Sequence, residues 1–187
     1  MSFWGHFQEM RKHLVRACLA IAITSTLAFI YKDIIFDFII LSPQESTFVT
    51  NRLLCMLSER FSMPALCINQ TPLNLINTEM AGQFTTHIWI SFIAGLILAF
   101  PYIIFELWRF VSPALTKKEK DASSLAVFSI SMLFFVGVLF SYFLIVPLTI
   151  SFLAGYEVSA TVNNLISLRS YISTLAGVTF ATGLVFE

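Results

Sequence analysis

Of 187 residues, 57% are apolar and 12% charged, and 11 Lys and Arg balance 11 Asp and Glu. A soluble domain carries about 25% charged residues, so the composition argues against a soluble enzyme, and zero net charge offers no basic excess for nucleic acid. Cys18, Cys55 and Cys67 are widely spaced and form no CxxC or Cys/His cluster, so no metal and no cofactor is predicted.

The charges cluster, and long uncharged runs lie between them. A helix crossing the hydrocarbon core needs about 20 apolar residues. The first candidate is 14–31, with Arg16 near its start and able to snorkel. Glu9, Arg11 and Lys12 precede it and no small-residue cleavage site follows, so it is read as a retained span. The second is 84–105, with Pro101 near one end. The third begins at Ala122 and meets no charge until Glu157, which is too long for one straight span. Pro147 is predicted to end or kink that helix, leaving 148–156 at the interface. The fourth begins near Ser170 and stops at the carboxylate of Glu187. It is barely long enough, and no charge cluster flanks it, so the chain is expected to be part of a longer polytopic protein. The predicted helices are 14–36, 82–106, 120–147 and 169–187.

Lys and Arg are dense before span one and between spans two and three, and sparse elsewhere. By the positive-inside rule the N-terminus is cytoplasmic. The expected organisation is one membrane domain over 1–187, with cytoplasmic segments 1–13 and 106–121 and outer loops 37–81 and 148–168. Within the first outer loop, 33–41 is apolar enough to lie on the bilayer surface. Residues 51–61 put Leu53, Leu54, Leu57 and Phe61 on one helical face, which predicts a short amphipathic helix. Cys55 and Cys67 lie on the outward side, where a disulfide is permitted, and they are a candidate pair. His87, near the outer end of span two, suits an interfacial hydrogen bond better than a proton relay.

Two segments hold the candidate functional residues. Before span one, Phe3, Phe7, Met10 and Leu14 form an apolar stripe, and Glu9 lies off it. Glu9 is three and four residues from Lys12 and His13, so local ion pairs at a solvated helix start are an adequate account of it. Between spans two and three, Thr116 and Glu119 have capping-box spacing. Trp108 and Phe110 suit an interfacial aromatic belt. Each segment therefore has a structural reading that competes with a functional one.

Order and spacing nevertheless resemble the TatC family, the receptor subunit of the twin-arginine protein translocase. The family pattern H-L-x-E-L-R-x-R-L before span one is met by His6, Glu9, Arg11 and Leu14, with Phe7, Met10 and His13 departing from it. The pattern P-x-x-x-Y-x-x-W-x-F-x-x-P-x-L-x-x-x-E is met by Pro101, Trp108, Phe110, Pro113, Leu115 and Glu119, with Phe105 at the aromatic position. Phe140, Tyr142 and Pro147 fit F-x-Y-x-x-x-x-P, and Gly183, Phe186 and Glu187 fit F-G-x-x-F-E, with Thr182 departing. Ser42 and Pro43 resemble the family's outer-loop proline after span one. The outer loop is longer than the family's common form, by an insertion near 51–69.

The resemblance implies an all-α polytopic membrane protein holding the first four spans of a six-helix fold, in a bacterial-type inner membrane. It implies a translocase component driven by proton-motive force that binds twin-arginine signal peptides of folded cargo and recruits TatA/TatB-like single-span subunits in an oligomer. Glu9, Arg11, Phe110 and Glu119 are then the candidate signal-peptide residues, and Glu187 the candidate contact to the partner subunits. A proton-coupled small-solute transporter using Glu187 is the alternative. A carboxylate at membrane depth suits either, since such groups persist only with a partner, water or a role.

Overall fold

The computed structural model describes residues 3–63, 67–68, 73–156, 159 and 165–187; the side chains of 3–7, 114 and 117–124 fall outside that description. The protein is all-α. Among the described residues six α-helices follow one another: α1 (Phe3–Ile30), α2 (Val49–Phe61), α3 (Gly82–Val111), α4 (Lys117–Phe140), α5 (Val146–Gly155) and α6 (Leu168–Val185). Wider π-helical turns occupy Ile34–Ile40 and Ser141–Ile145. In lipid no water is present to satisfy backbone groups, so a chain this apolar meets its hydrogen-bonding demand inside helices. Among the described residues, three helical stretches, Gln8–Ile30, Gly82–Val111 and Leu125–Gly155, are long and apolar enough to cross a membrane. The expected fourth span is the 18-residue α6.

α1 and α3 are an antiparallel pair in fixed register. At one end His13 bonds Glu106. Midway, Thr24 Oγ1 lies 2.8 Å from the carbonyl of Gly95 and 2.9 Å from that of Ala20, its own i−4 acceptor. At the other end Phe29 stacks on His87 with ring centroids 4.0 Å apart. His87 therefore packs between Phe29 and Phe36, and its Nε2 has no hydrogen-bond partner, where an interfacial hydrogen bond was expected. Gly95 sets the spacing of the helices. A Cβ at that position would lie 2.5 Å from the Ser25 nitrogen and 2.6 Å from its Cα. Small residues at such crossings let helix backbones approach closely, which is how membrane helices gain packing energy without a hydrophobic drive.

The third span differs from its expected shape. It was predicted to finish at Pro147, with 148–168 as loop; instead the helix continues as α5 to Gly155. Pro147 sits just past the π turn, in the first turn of α5. A proline removes an N–H and crowds the carbonyl four residues back, and a widened turn accommodates both. The carbonyl left without its α-helical donor is that of Phe143, and Thr50 Oγ1 donates to it. The second span is also longer than predicted, reaching Val111 rather than 106, and α1 begins before its predicted start.

α6 opens with Ser167 as N-cap, whose Oγ accepts from the Ser170 N–H at 3.2 Å, as Ser caps do. It runs antiparallel to the α4–α5 rod. Gly183 lies against Phe134 and Val138, and Phe186 lies over Gly137. The buried core gathers Ile40, Ile90, Ile93, Val146, Ile150, Tyr171, Ile172, Leu175 and Ala176. Two tyrosine hydroxyls satisfy the end of the first π turn: Tyr142 donates to the Ile39 carbonyl at 2.8 Å and Tyr171 to that of Ile40 at 2.7 Å. The loop before α3 is tied to the start of α6 by backbone bonds between Ile76 and both Ile166 and Leu168, and by an Arg169–Glu79 fork at 2.9 and 3.1 Å.

Gly95→Val tests the α1–α3 spacing. Overpacking of this kind costs about 1–3 kcal/mol, and the expected result is a lower thermal midpoint of the detergent-solubilised protein. A midpoint equal to the parent would show that the crossing has slack.

Candidate functional site

Among the described residues, the largest group of charged side chains in contact lies where α1 enters the bundle and α3 leaves it. Glu106 is the centre. It is 1% exposed, although the sequence placed it at the start of a cytoplasmic segment. His13 Nδ1 is hydrogen-bonded to Oε2, and Tyr102 OH donates to Oε1 at 2.9 Å. Arg109 Nη1 lies 3.7 Å from Oε1 and Arg16 Nη1 lies 3.9 Å from Oε2. Helical spacing delivers these groups: Tyr102 and Arg109 are four residues before and three after Glu106 on one face of α3, and His13 and Arg16 are one turn apart on α1. An unpaired carboxylate in a buried position is costly. Here four side chains from two helices surround it.

This arrangement corrects the local pairing expected for His13. That residue turns across to α3 rather than back to Glu9. Glu9, one turn earlier, is half-buried and, among the described residues, makes no side-chain hydrogen bond or ion pair. The ring of Phe110 meets His13 edge-on at 6.2 Å, and Arg109 stands over the Phe105 ring at 5.7 Å. Phe105 in turn stacks near Trp108 at 6.3 Å. Arg11 is exposed on α1. α3 ends in a short turn at Ser112–Ala114 that includes Pro113, and α4 starts at Lys117. Glu119 is thus in the first turn of α4, at the same end of the bundle, while its side chain and that of His6 lie outside the described residues.

A large groove elsewhere in the bundle offers no carboxylate. An open groove of about 770 Å³ runs between the first π turn, α3, α4 and α6, and no charged side chain lines it.

A family model described as "Sec-independent protein translocase protein (TatC)" matches residues 5–187. The chain belongs to the TatC family. Among curated relatives, the Sec-independent protein translocase protein TatC of Blattabacterium sp. subsp. Periplaneta americana is 35% identical over 188 residues, covering 100% of this chain and 71% of that protein. The TatC of Desulforapulum autotrophicum is 31% identical over 186 residues, covering 99% of this chain and 60% of that one. A crystal structure described as the twin arginine translocase receptor TatC in DDM superposes with a TM-score of 0.72 at 28% identity, over 97% of this chain and 71% of that chain.

Within this TatC-family chain the other motif residues serve the scaffold. Pro101 is taken into α3. Pro43 is buried, and its carbonyl accepts from Asn51 Nδ2 at 3.0 Å. Tyr142 and Pro147 hold the two π turns, as described above. Cys55 and Cys67 are placed as a disulfide. Glu187 follows α6 beside α4, because its neighbour Phe186 packs on Gly137, near the midpoint of the helical rod 117–155.

Glu106 was missed by sequence reading, and a signal for it existed. It is the first charge after the 26-residue uncharged run 80–105, and it recurs at helical spacing from Tyr102 and Arg109. Taking the end of the uncharged run as the end of the span moved it into solvent. Glu106→Ala should cost about 1–3 kcal/mol, the usual penalty for stranding buried polar partners, while Glu106→Gln keeps an acceptor for Tyr102 and costs less. Thermal unfolding of the two variants in detergent reads the difference; equal midpoints for Ala, Gln and parent would remove Glu106 from the structural centre of the site.

Proposed function

We propose that this chain is the subunit of a twin-arginine protein translocase that receives the signal peptide of folded cargo at the α1–α3–α4 end of the bundle. The observation that carries the reading is the division of labour between carboxylates. Glu106 is 1% exposed and already bonded by His13 and Tyr102, so it is closed to a ligand. Glu9 is half-buried at the same end without a partner among the described residues. Glu119, in the first turn of α4, is the second acceptor in this reading.

Two adjacent peptide arginines near the headgroups require carboxylates, because a guanidinium offers forked donors that a carboxylate matches and water screens less well there. Glu9 and Glu119 take one guanidinium each. The face of Phe110 receives the apolar residue that follows them. Arg11 keeps the rim basic, on the cytoplasmic side by the positive-inside rule. Names carried by relatives agree with this role: the superposed crystal structure is described as a twin arginine translocase receptor. The protein lies in a bacterial inner membrane with its N-terminus inside, as part of an oligomer.

Glu187 has a separate task. A carboxylate at mid-bilayer costs about 2.5–3.5 kcal/mol on insertion scales unless partnered. In this proposal it meets polar groups of TatA/TatB-like single-span subunits.

Site-specific photocrosslinking separates the two roles. A probe beside Glu9 should capture a twin-arginine signal peptide, and the Glu9→Ala, Glu119→Ala double variant should lose that product by tenfold or more, about 1.4 kcal/mol of binding. Undiminished crosslinking and export in the double variant would reject the shared site. Glu187→Ala should instead retain the signal-peptide product and lose crosslinks to the single-span subunits; normal partner crosslinks would leave Glu187 as a helix-end carboxylate.

A further inference from the structure

The insertion that lengthens the first outer loop forms α2, and α2 is packed inside out. Its inward face is polar. Asn51 is 1% exposed and donates through Nδ2 to the carbonyls of Pro43 and Glu45 at 3.0 and 2.7 Å. Ser58 is 7% exposed and its hydroxyl donates to the Met63 carbonyl at 2.7 Å. The outward face carries Val49, Leu53, Met56, Leu57 and Phe61, of which Leu53 is 54% and Phe61 65% exposed. These positions share one side of a helix with 3.6 residues per turn. A helix facing water has the opposite polarity. Nor is α2 free to roll over. Asn51 holds its inner side to the Pro43 and Glu45 carbonyls, and Thr50 bonds the Phe143 carbonyl.

Two observations identify what covers the apolar face. The first is depth. The anchor at Phe143 lies 21 residues beyond Ala122, the first residue after the charged start of α4. At 1.5 Å per residue that is about 32 Å, close to the far edge of a hydrocarbon core about 30 Å thick. The second is continuity. Phe48, just before α2, packs on Tyr142 and Phe143, and the exposed side chains around that anchor, Leu139, Phe140, Phe143 and Leu144, belong to the lipid-facing surface of the span.

We infer that α2 is an in-plane membrane helix whose face of Val49, Leu53, Met56, Leu57 and Phe61 is immersed in the lipid leaflet opposite the amino terminus. At 13 residues it is too short to cross. Arg52 and Glu59 lie at the edge of the apolar face, and Arg60 is long enough to snorkel from within it to the headgroups. This reading is independent of signal-peptide recognition.

The test uses the whole chain, reconstituted at one copy per lipid nanodisc. A nitroxide is attached to p-acetylphenylalanine at Leu57, Phe61 or Glu59 in separate samples, which leaves the cysteines untouched. Power saturation with oxygen and a water-soluble nickel chelate is then measured. The expected result is strong oxygen relaxation at Leu57 and Phe61, with nickel collisions about fivefold rarer than at Glu59. Nickel access at all three sites alike would show a wet face and overturn the inference. Low access to both reagents at Leu57 and Phe61 would show a protein covering the face, and would overturn it equally. Should the Leu57 variant fail to fold by circular dichroism, Phe61 and a label at Leu53 read the same face.

Discussion

Burial of the Glu106 carboxylate is the constraint on which the near end of this protein depends. A charge removed from water must be met by donors of the right geometry, and α3 alone cannot supply them all. Tyr102 and Arg109 come from the same helix, and His13 and Arg16 have to be brought by α1. That requirement fixes both the lateral position of α1 and its register. With Thr24 on the Gly95 carbonyl and Phe29 on His87, the same register is specified at three heights. The approach of the two backbones at Gly95 then follows from sequence, because no larger residue fits.

The departure of His13 from the family pattern follows from the same constraint. His13 stands where the family pattern has a basic residue. Sequence alone makes that look like the loss of a fixed positive charge. In three dimensions the imidazole is a short, rigid donor that reaches Glu106, while Arg16, one turn on, brings a full charge to within 3.9 Å. With Glu106 so enclosed, Glu9 is left half-buried at this end without a side-chain partner among the described residues.

Much of the architecture was legible in the sequence because membrane helices are written in long apolar runs. The existence of α1, α3, α4 and α6 and the amphipathic helix near 51–61 all follow from hydropathy and period. What was not legible has physical causes. Helix ends were misjudged wherever a charge was taken as a boundary, since Glu106 and the residues before Leu14 are helical although charged. Pro147 was read as a stop, yet a π turn absorbs it and the helix goes on. Partners 93 residues apart, such as His13 with Glu106 and Thr50 with Phe143, leave no periodic trace in a single chain. The polarity of α2 relative to its neighbours was hidden for a similar reason: the pattern shows an apolar face, and only tertiary hydrogen bonds decide which way it points.

The proline-freed carbonyl at Phe143 has a consequence for the order of assembly. Chains fold from the amino end as they are made. The α1–α3 clamp has all its parts once Arg109 has been synthesised, so it can close while α4 is still being made. The insertion cannot settle so early. Its anchor is a hydrogen-bond vacancy created by Pro147, on a helix that does not yet exist when α2 emerges. α2 therefore waits for its anchor through the synthesis of the 86 residues 62–147. Insertion of the third span is thus the event that docks a piece of the chain completed long before it.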